Sequence, residues 1–407
     1  MTTKNDDLPL RNLRVINFGW IWAAPALAGA LADMGAEVIK IETGRRVDNT
    51  RLSGANYKDV SLLNHSSLTL LRGQRSVTLD LSRPESRGIA LELVSTADIA
   101  VENFRPGTIG RWGLDFTSLR EARPDLIMIS LSAGGQTGPL NQITTFGSTL
   151  SCLTGLDSMQ GYIDGPPQAF GTALIDPLVG YLGLLSVLSA LRHRNRTGLG
   201  QYIDLSQWEA TSTMYGSQVL DYQWNGRVPG PMGNRDVAMA PHGVYPCAGD
   251  DAWVAIAVES DEQWRSFRRA MGPSQERWAR QRRFDDGYRR LRHQDDLDKR
   301  IARWTRGHDA FEVAALLQAA GVPAFPAQSD RQAFLNPHFL ARDGWVQVQH
   351  PFGPLTVNGI HWKLSKTPGK LRRSAPVLGQ DNHYVFRELL GMSGPVAEGL
   401  ERDGAIA

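Results

Sequence analysis

Apolar residues in the first half of the chain gather into short runs separated by small-residue or amphipathic stretches. LRVINF (13–18) ends at Gly19, and AEVIKIE (36–42) follows after ALAGALADMG; the runs read as buried strands and the stretch between them as a helix. Pro25 suits the opening of that helix and Gly35 its close. SVTLDL (76–81), IAVENF (99–104) and LIMISLS (126–132) are further strand runs, and Ser82 with Glu85 predicts a capping box for a helix through Leu93. Strand and helix in alternation imply a parallel sheet with right-handed crossovers, so the first half is predicted to be doubly wound α/β.

The rhythm changes after Gly200. QYIDLSQWEA begins a segment predicted to be helical through about Gln223, and the Gly/Pro-rich NGRVPGPMGN (225–234) reads as a linker. AWVAIAV (252–258) is a strand, an amphipathic helix starts at Glu262, and charged helices run to about Gly321, which makes a smaller α+β unit. The stretch from about Pro326 to Pro354 reads as a second linker, and HYVFRELLG (383–391) as an amphipathic C-terminal helix. The Arg-rich stretch from Arg265 to Arg306 is interleaved with acids and reads as a solvated helix face.

Composition narrows the function classes. A chain of 407 residues calls for two domains, and a net charge of +2 with the two signs mixed gives no nucleic-acid surface. Cys152 and Cys247 are the only cysteines and have no metal-type spacing, so no disulfide framework and no metal site are expected. MTTKNDDLPL lacks the basic start of a signal peptide, and the apolar stretch Leu178–Leu191 is too short and too rich in Gly and Ser to span a bilayer. A cytoplasmic protein without a membrane partner is expected.

Three places in the sequence carry candidate chemistry. Asp176, in GTALIDPLVGYLGLLSVLSALRHR, is the only acid between Asp164 and Asp204. A carboxylate among apolar residues is hydrogen-bonded or functional, because burying it unpaired costs several kcal/mol. Asp followed by Pro also makes a helix N-cap, and a capping carboxylate and an ionised nucleophile are compatible. The first strand-to-helix turn carries Trp20, Ile21 and Trp22 where a dinucleotide fingerprint needs glycines, which argues against a dehydrogenase. The tryptophans suit either a core or a ligand crevice. In VENFRPGTIGRWGL (101–114), Asn103 and Phe104 fall at a strand end, and Arg111 follows on a short helix, as a phosphate fork or as a surface ion pair.

Together, ADIAVENFRPGTIGRWGL (97–114), GQTGP (135–139), ALIDPLVG (173–180), RTGLGQYIDLSQWEA (196–210) and APVLGQDNHYVFRELLG (375–391) resemble the class III CoA-transferase family over nearly the whole chain. The resemblance implies a CoA transferase with Asp176 as its nucleophile, working through an aspartyl anhydride and an aspartyl-CoA thioester. It places CoA against Ile21, Arg75, Asn103, Phe104 and Arg111, and the acyl group near Trp22. CoA is then a substrate moiety, with no permanently bound cofactor.

The implied fold is α/β: a Rossmann-like large domain built from both chain ends (1–224 and 355–407) and a smaller α+β domain (241–325), joined by linkers 225–240 and 326–354. The implied assembly is an interlocked homodimer or a heteromer with a paralogous subunit. Phe146 stands where the family's racemases have a catalytic His, which leaves proton exchange unsupported and puts Phe146 in the acyl site. Trp20, Trp22, Trp112, Trp208 and Trp224 enrich the regions near the proposed site in aromatic surface, and GSTL (147–150) through GLDSMQGYIDGPP (155–167) resembles the benzylsuccinate and aryl-acid branch. Succinyl-CoA is therefore the expected donor and an aromatic acid the expected acceptor, with small aliphatic dicarboxylates as the alternative.

Overall fold

Six strands line up in parallel in the order β3-β2-β1-β4-β5-β6, where β1 is Arg14–Asn17, β2 Glu37–Glu42, β3 Gln74–Thr78, β4 Ile99–Glu102, β5 Ile127–Ser132 and β6 Tyr202–Ser206. The order reverses between β1 and β4, and in such sheets ligands bind beyond the carboxyl ends of the strands flanking that switch point. The turn after β1 and the Asn103–Phe104 corner after β4 both lie there. The structure is a computed structural model and describes residues 8–52, 63–171 and 173–406.

Both faces of the sheet are covered, which is why its strands are apolar throughout. On one face Val15, Leu27, Ile129 and Val187 pack between the sheet and the helices Ala23–Asp33 and Ile175–Thr197. The second of these is long and apolar enough to cross a membrane by length and composition. Here it lies along the first helix: a Cβ at Gly183 would fall 2.6 Å from Leu27 Cδ1, so only glycine allows the approach. On the other face Ile16, Ile39, Leu93 and Phe386 pack together. Phe386 comes from a π-helical turn, His383–Leu389, near the far end of the chain. Asp381 ties that end to β3 by accepting the Ser76 N–H at 3.0 Å.

The described residues form two units: one holds the stretches up to Leu156, Ala169–Arg227 and from His338 onward, and the other holds Asp157–Gln168 and Val228–Pro337. In the second unit β7 (His242–Pro246), β8 (Trp253–Ala257) and β9 (Ala324–Pro326) form an antiparallel sheet, over which Trp264, Phe267, Phe284 and Trp304 make an aromatic core.

Several expectations change. Tyr202–Ser206 is strand β6, because its alternating Tyr, Ile, Asp, Leu, Ser pairs with β5; helices begin only at Gln207 and Gly216. Ser82 does not cap the following helix, which starts with Pro84 after an uncapped Arg83; its hydroxyl donates to Asp80 instead. The second predicted linker holds two short helices and strand β10 (Trp345–Val348), which pairs antiparallel with β11 (Leu355–Asn358) just beyond it. Residues 157–168 join the second unit, which no composition signal marks. Arg290 leaves the solvated face: it is buried, donating to Ala240 O at 2.7 Å and to Asp261 at 2.8 Å.

Candidate active site

Asp176 lies in the first turn of Ile175–Thr197. It is not the N-cap expected from the Asp-Pro pair; Leu174 precedes the helix and caps nothing. No described group donates a hydrogen bond or an ion pair to its carboxylate. Burial alone pushes its pKa from 3.8 to about 6, so it is ionised but poorly solvated at neutral pH. A second helix, Gly147–Thr154, starts against it, and a Cβ at Gly147 would fall 2.5 Å from Asp176 Oδ2. Only glycine lets that N-terminus approach the carboxylate. Both helices thus begin beside the carboxylate, and a helix N-terminus carries partial positive charge that favours an anion.

A cavity of about 170 Å³ opens on Asp176, walled by Ile21, Asn103, Phe104, Arg105, Phe146 and Gln207 among others. Phe146 is 58% exposed at its rim. Four of the expected site residues thus meet Asp176 in one cavity: Ile21, Asn103, Phe104 and Phe146. Arg105 also lines the cavity, its guanidinium donating to Thr144 Oγ1 at 3.4 Å.

Asn103 faces the protein as well as the cavity. Its amide oxygen accepts the Trp20 N–H and its amide nitrogen donates to Trp20 O, each at 2.8 Å. The remaining groups of the turn are held just as closely. Gly19 N–H donates to Asn17 Oδ1, Gly19 O accepts from Lys40 Nζ at 2.7 Å, Ile21 N–H donates to Asp48 at 3.0 Å, and Ile21 O accepts from Thr50 Oγ1 at 2.7 Å. Lys40 and Asp48 pair at 3.0 Å, both fully buried. Ile21 has φ +66°, a region that β-branched residues avoid.

A second cavity, about 400 Å³, adjoins the first at Phe104, which lines both. Trp20 and Trp112 stand edge-on to the Phe104 ring at centroid distances of 6.0 and 5.5 Å. Three arginines reach this cavity. Arg45 is paired with Asp80 at 2.7 Å, Arg46 stacks over Trp20, and exposed Arg111 has no carboxylate partner among the described residues. Arg75 lies outside both cavities. Its guanidinium bridges Glu37 and Asp381 and stacks 3.8 Å from the Tyr384 ring, joining β2 and β3 to the returning C-terminal segment.

Trp22 is also displaced from its expected place. It lines a third cavity of about 240 Å³ with Pro177, Tyr181, His361 and the Asp33–Arg72 pair, and not the one that holds Asp176. None of the five tryptophans expected near the acyl group lines the Asp176 cavity, and Trp224 is 73% exposed.

Glu102 is a further carboxyl at this end of the sheet. Burial pushes it to about 7; it bonds Ser130 and accepts the Phe104 N–H at 2.6 Å, which turns the chain into the cavity wall. Lys40, Asp48, Thr50, Arg105 and Gly147 were not anticipated. Lys40 did carry a signal, a lone cation inside the apolar run AEVIKIE, which demands a buried partner. The sequence does not show that the partner is Asp48.

The sequence profile of CoA-transferase family III matches residues 10–382. The chain is 35% identical, over 97% of its length and 97% of the relative's, to a succinyl-CoA–D-citramalate CoA-transferase of Chloroflexus aurantiacus. It is 33% identical, over 98% and 92%, to the alpha subunit of a succinyl-CoA–L-malate CoA-transferase of the same organism. The crystal structure of a CaiB/BaiF family protein from Brucella suis superposes with a TM-score of 0.85 at 29% identity, over 94% of this chain and 99% of that one. The chain therefore belongs to CoA-transferase family III and is an enzyme of that kind.

Proposed function

We propose that the enzyme moves CoA from succinyl-CoA to a small dicarboxylic acid, with Asp176 as the nucleophile. The observation that carries this reading is a partially desolvated carboxylate with no partner among the described residues, in a cavity that joins an arginine- and aromatic-lined cavity at Phe104. The larger cavity suits the nucleotide end of CoA, with Arg46 and Arg111 for its phosphates and Trp20 and Trp112 for its ring. The thioester arm then passes Phe104 to reach Asp176.

The Asp176 carboxylate attacks the succinyl thioester carbon, the C–S bond breaks, and an aspartyl-succinyl anhydride and CoA thiolate result. The thiolate attacks the Asp176 carbonyl, giving aspartyl-CoA and free succinate. An acceptor carboxylate attacks that thioester in turn and regenerates the thiolate, which then takes the acceptor's acyl carbon and releases Asp176. No proton is gained or lost. The N–H groups at the Gly147 helix start are placed to take up oxyanion charge.

Arg105 supports the dicarboxylic acceptor. A guanidinium in the cavity wall pairs with a second carboxylate while the first faces Asp176. The relatives above are named for citramalate and malate, both dicarboxylic acids. An aromatic acceptor loses its support, since no tryptophan lines this cavity. A panel of acids offered with succinyl-CoA and read by mass spectrometry tests this. Dicarboxylates of four or five carbons should be turned over, and Arg105→Met should raise their KM by about tenfold, the value of one charged hydrogen bond, while sparing monocarboxylates. Turnover of aryl acids alone would reject the reading.

For the assembly, we propose the interlocked pair. The helix Ile175–Thr197 leaves Tyr181, Leu185 and Leu188 exposed along one face, an apolar stripe suited to a partner. A paralogous partner is the second reading, motivated by the relative named as an alpha subunit. The mass in solution of the chain purified alone, together with its activity, separates the two.

A further inference from the structure

The turn Gly19–Ile21 is more constrained than its packing demands. All six of its backbone N–H and C=O groups are bonded to side chains: those of Asn17, Lys40, Asp48, Thr50 and Asn103. No polar group of this backbone is left for a ligand. What the turn presents is three consecutive side chains, each to a different cavity: Trp20 to the arginine cavity, Ile21 to the Asp176 cavity and Trp22 to the third.

Ile21 occupies the strained position. Left-handed backbone costs an L-residue about 1–2 kcal/mol, more for a β-branched one, and glycine adopts it freely. The chain pairs this strain with a fully buried Lys40–Asp48 ion pair, which is itself no efficient source of stability. Residues held in such conformations by an over-determined surrounding are concentrated at functional sites. Ile21 lines the Asp176 cavity while its N–H and C=O turn to Asp48 and Thr50.

We propose that Lys40, Asp48 and Thr50 are positioning residues that act through Ile21, and that Ile21 keeps water from the covalent intermediates on Asp176. The proposal rests on Asp176 being the nucleophile. Water that reaches the aspartyl anhydride adds to a carbonyl carbon, breaks the C–O bond and gives succinate and the Asp176 carboxylate. Two protons are released, one of which the CoA thiolate takes. Each such event hydrolyses one succinyl-CoA without transfer.

The test measures hydrolysis and transfer of succinyl-CoA together in Ile21→Gly, Ile21→Val, Asp48→Asn and the milder Thr50→Val. Ile21→Gly should raise the hydrolysis-to-transfer ratio by about tenfold, a barrier difference of about 1.4 kcal/mol. Asp48→Asn and Thr50→Val should move it the same way, and Ile21→Val should keep it near the unmodified value. A merely structural role would lower both rates in proportion, and an unchanged ratio in folded Ile21→Gly and Thr50→Val overturns the proposal.

A second readout needs no turnover: the Asp176 titration midpoint, from infrared difference spectra against the Asp176→Asn form of each variant. Admitting water should lower it in Ile21→Gly; an unmoved midpoint counts against the shield. If the unmodified enzyme transfers CoA to no acid, the proposed function fails while this midpoint still decides the role of Ile21.

Discussion

Asp48 and Asp176 both border Ile21, and their surroundings are opposites. Burial alone would raise Asp48, but Lys40 and the N–H groups of Thr50 and Ile21 outweigh it and hold the carboxyl below its ordinary range. Asp176 has burial and no compensating partner, and rises to about 6. One carboxylate is spent on bonds that shape the chain. The other keeps its lone pairs unshared, which raises its basicity and leaves it available to attack a carbonyl. The contrast separates a carboxylate engaged in shaping the chain from one left unengaged better than burial does.

The largest effect should come from Asp176→Asn. Transfer should fall by roughly 10⁴-fold or more, because the whole covalent path is lost, and the same variant should be more stable than the unmodified enzyme above pH 6. The sign follows from linkage: a carboxyl raised in the fold contributes stability that is complete below 3.8 and is lost as pH rises through about 6. A shift of about two units bounds the gain at roughly 3 kcal/mol. In the unmodified enzyme kcat/KM should fall tenfold per pH unit below about 6. Thermal melts and rate profiles between about pH 3 and 8, which bracket both values, check all three; an Asn variant that retains turnover breaks the comparison.

Asp48→Asn should do the reverse to stability. It leaves Lys40 buried and unpaired, at a cost of about 3–5 kcal/mol in denaturant unfolding. Because Asp48 is held low in the fold, its contribution is present above the ordinary aspartate range and lost as pH falls through its depressed value. Replacing both partners together, Lys40→Met with Asp48→Leu, should cost less than either single change. Equal losses in the single and double variants would show that the pair is not coupled.

The smallest effects should separate Arg111 from Arg75. Arg111→Ala should raise the KM for succinyl-CoA by about tenfold at constant kcat, since a phosphate contact serves ground and transition states alike. Arg75→Ala should leave that KM alone and lower the melting temperature by a few degrees, as the link among Glu37, Asp381 and Tyr384 is lost. A KM effect at Arg75 would return it to the binding site.

Runs of apolar residues broken by helices were enough to predict five of the six parallel strands, because both faces of the sheet are buried and the runs are nearly continuous. β6 escaped because YIDLS alternates and pairs through a neighbour far away in sequence. Asp176 was legible as a lone acid among apolar residues, and Asn103 and Phe104 as a strand-end corner. Arg75 and Trp22 line neither the Asp176 cavity nor the arginine cavity for a common reason: strand and turn positions have a side as well as an order, and one residue along the turn is enough to change cavity.

The order of most strands and helices, the family and the lone acid proposed as nucleophile follow from the sequence, since local periodicity and motif spacing are properties of neighbouring residues. The tertiary structure alone decides which side chains share a cavity. It unites Asp176 with Arg105 and Gly147, joins Lys40 to Asp48, and gives Ile21 a backbone conformation that its residue type disfavours. Those outcomes depend on long-range contacts across the switch point of the sheet, where the energy of a buried pair overrides local preference.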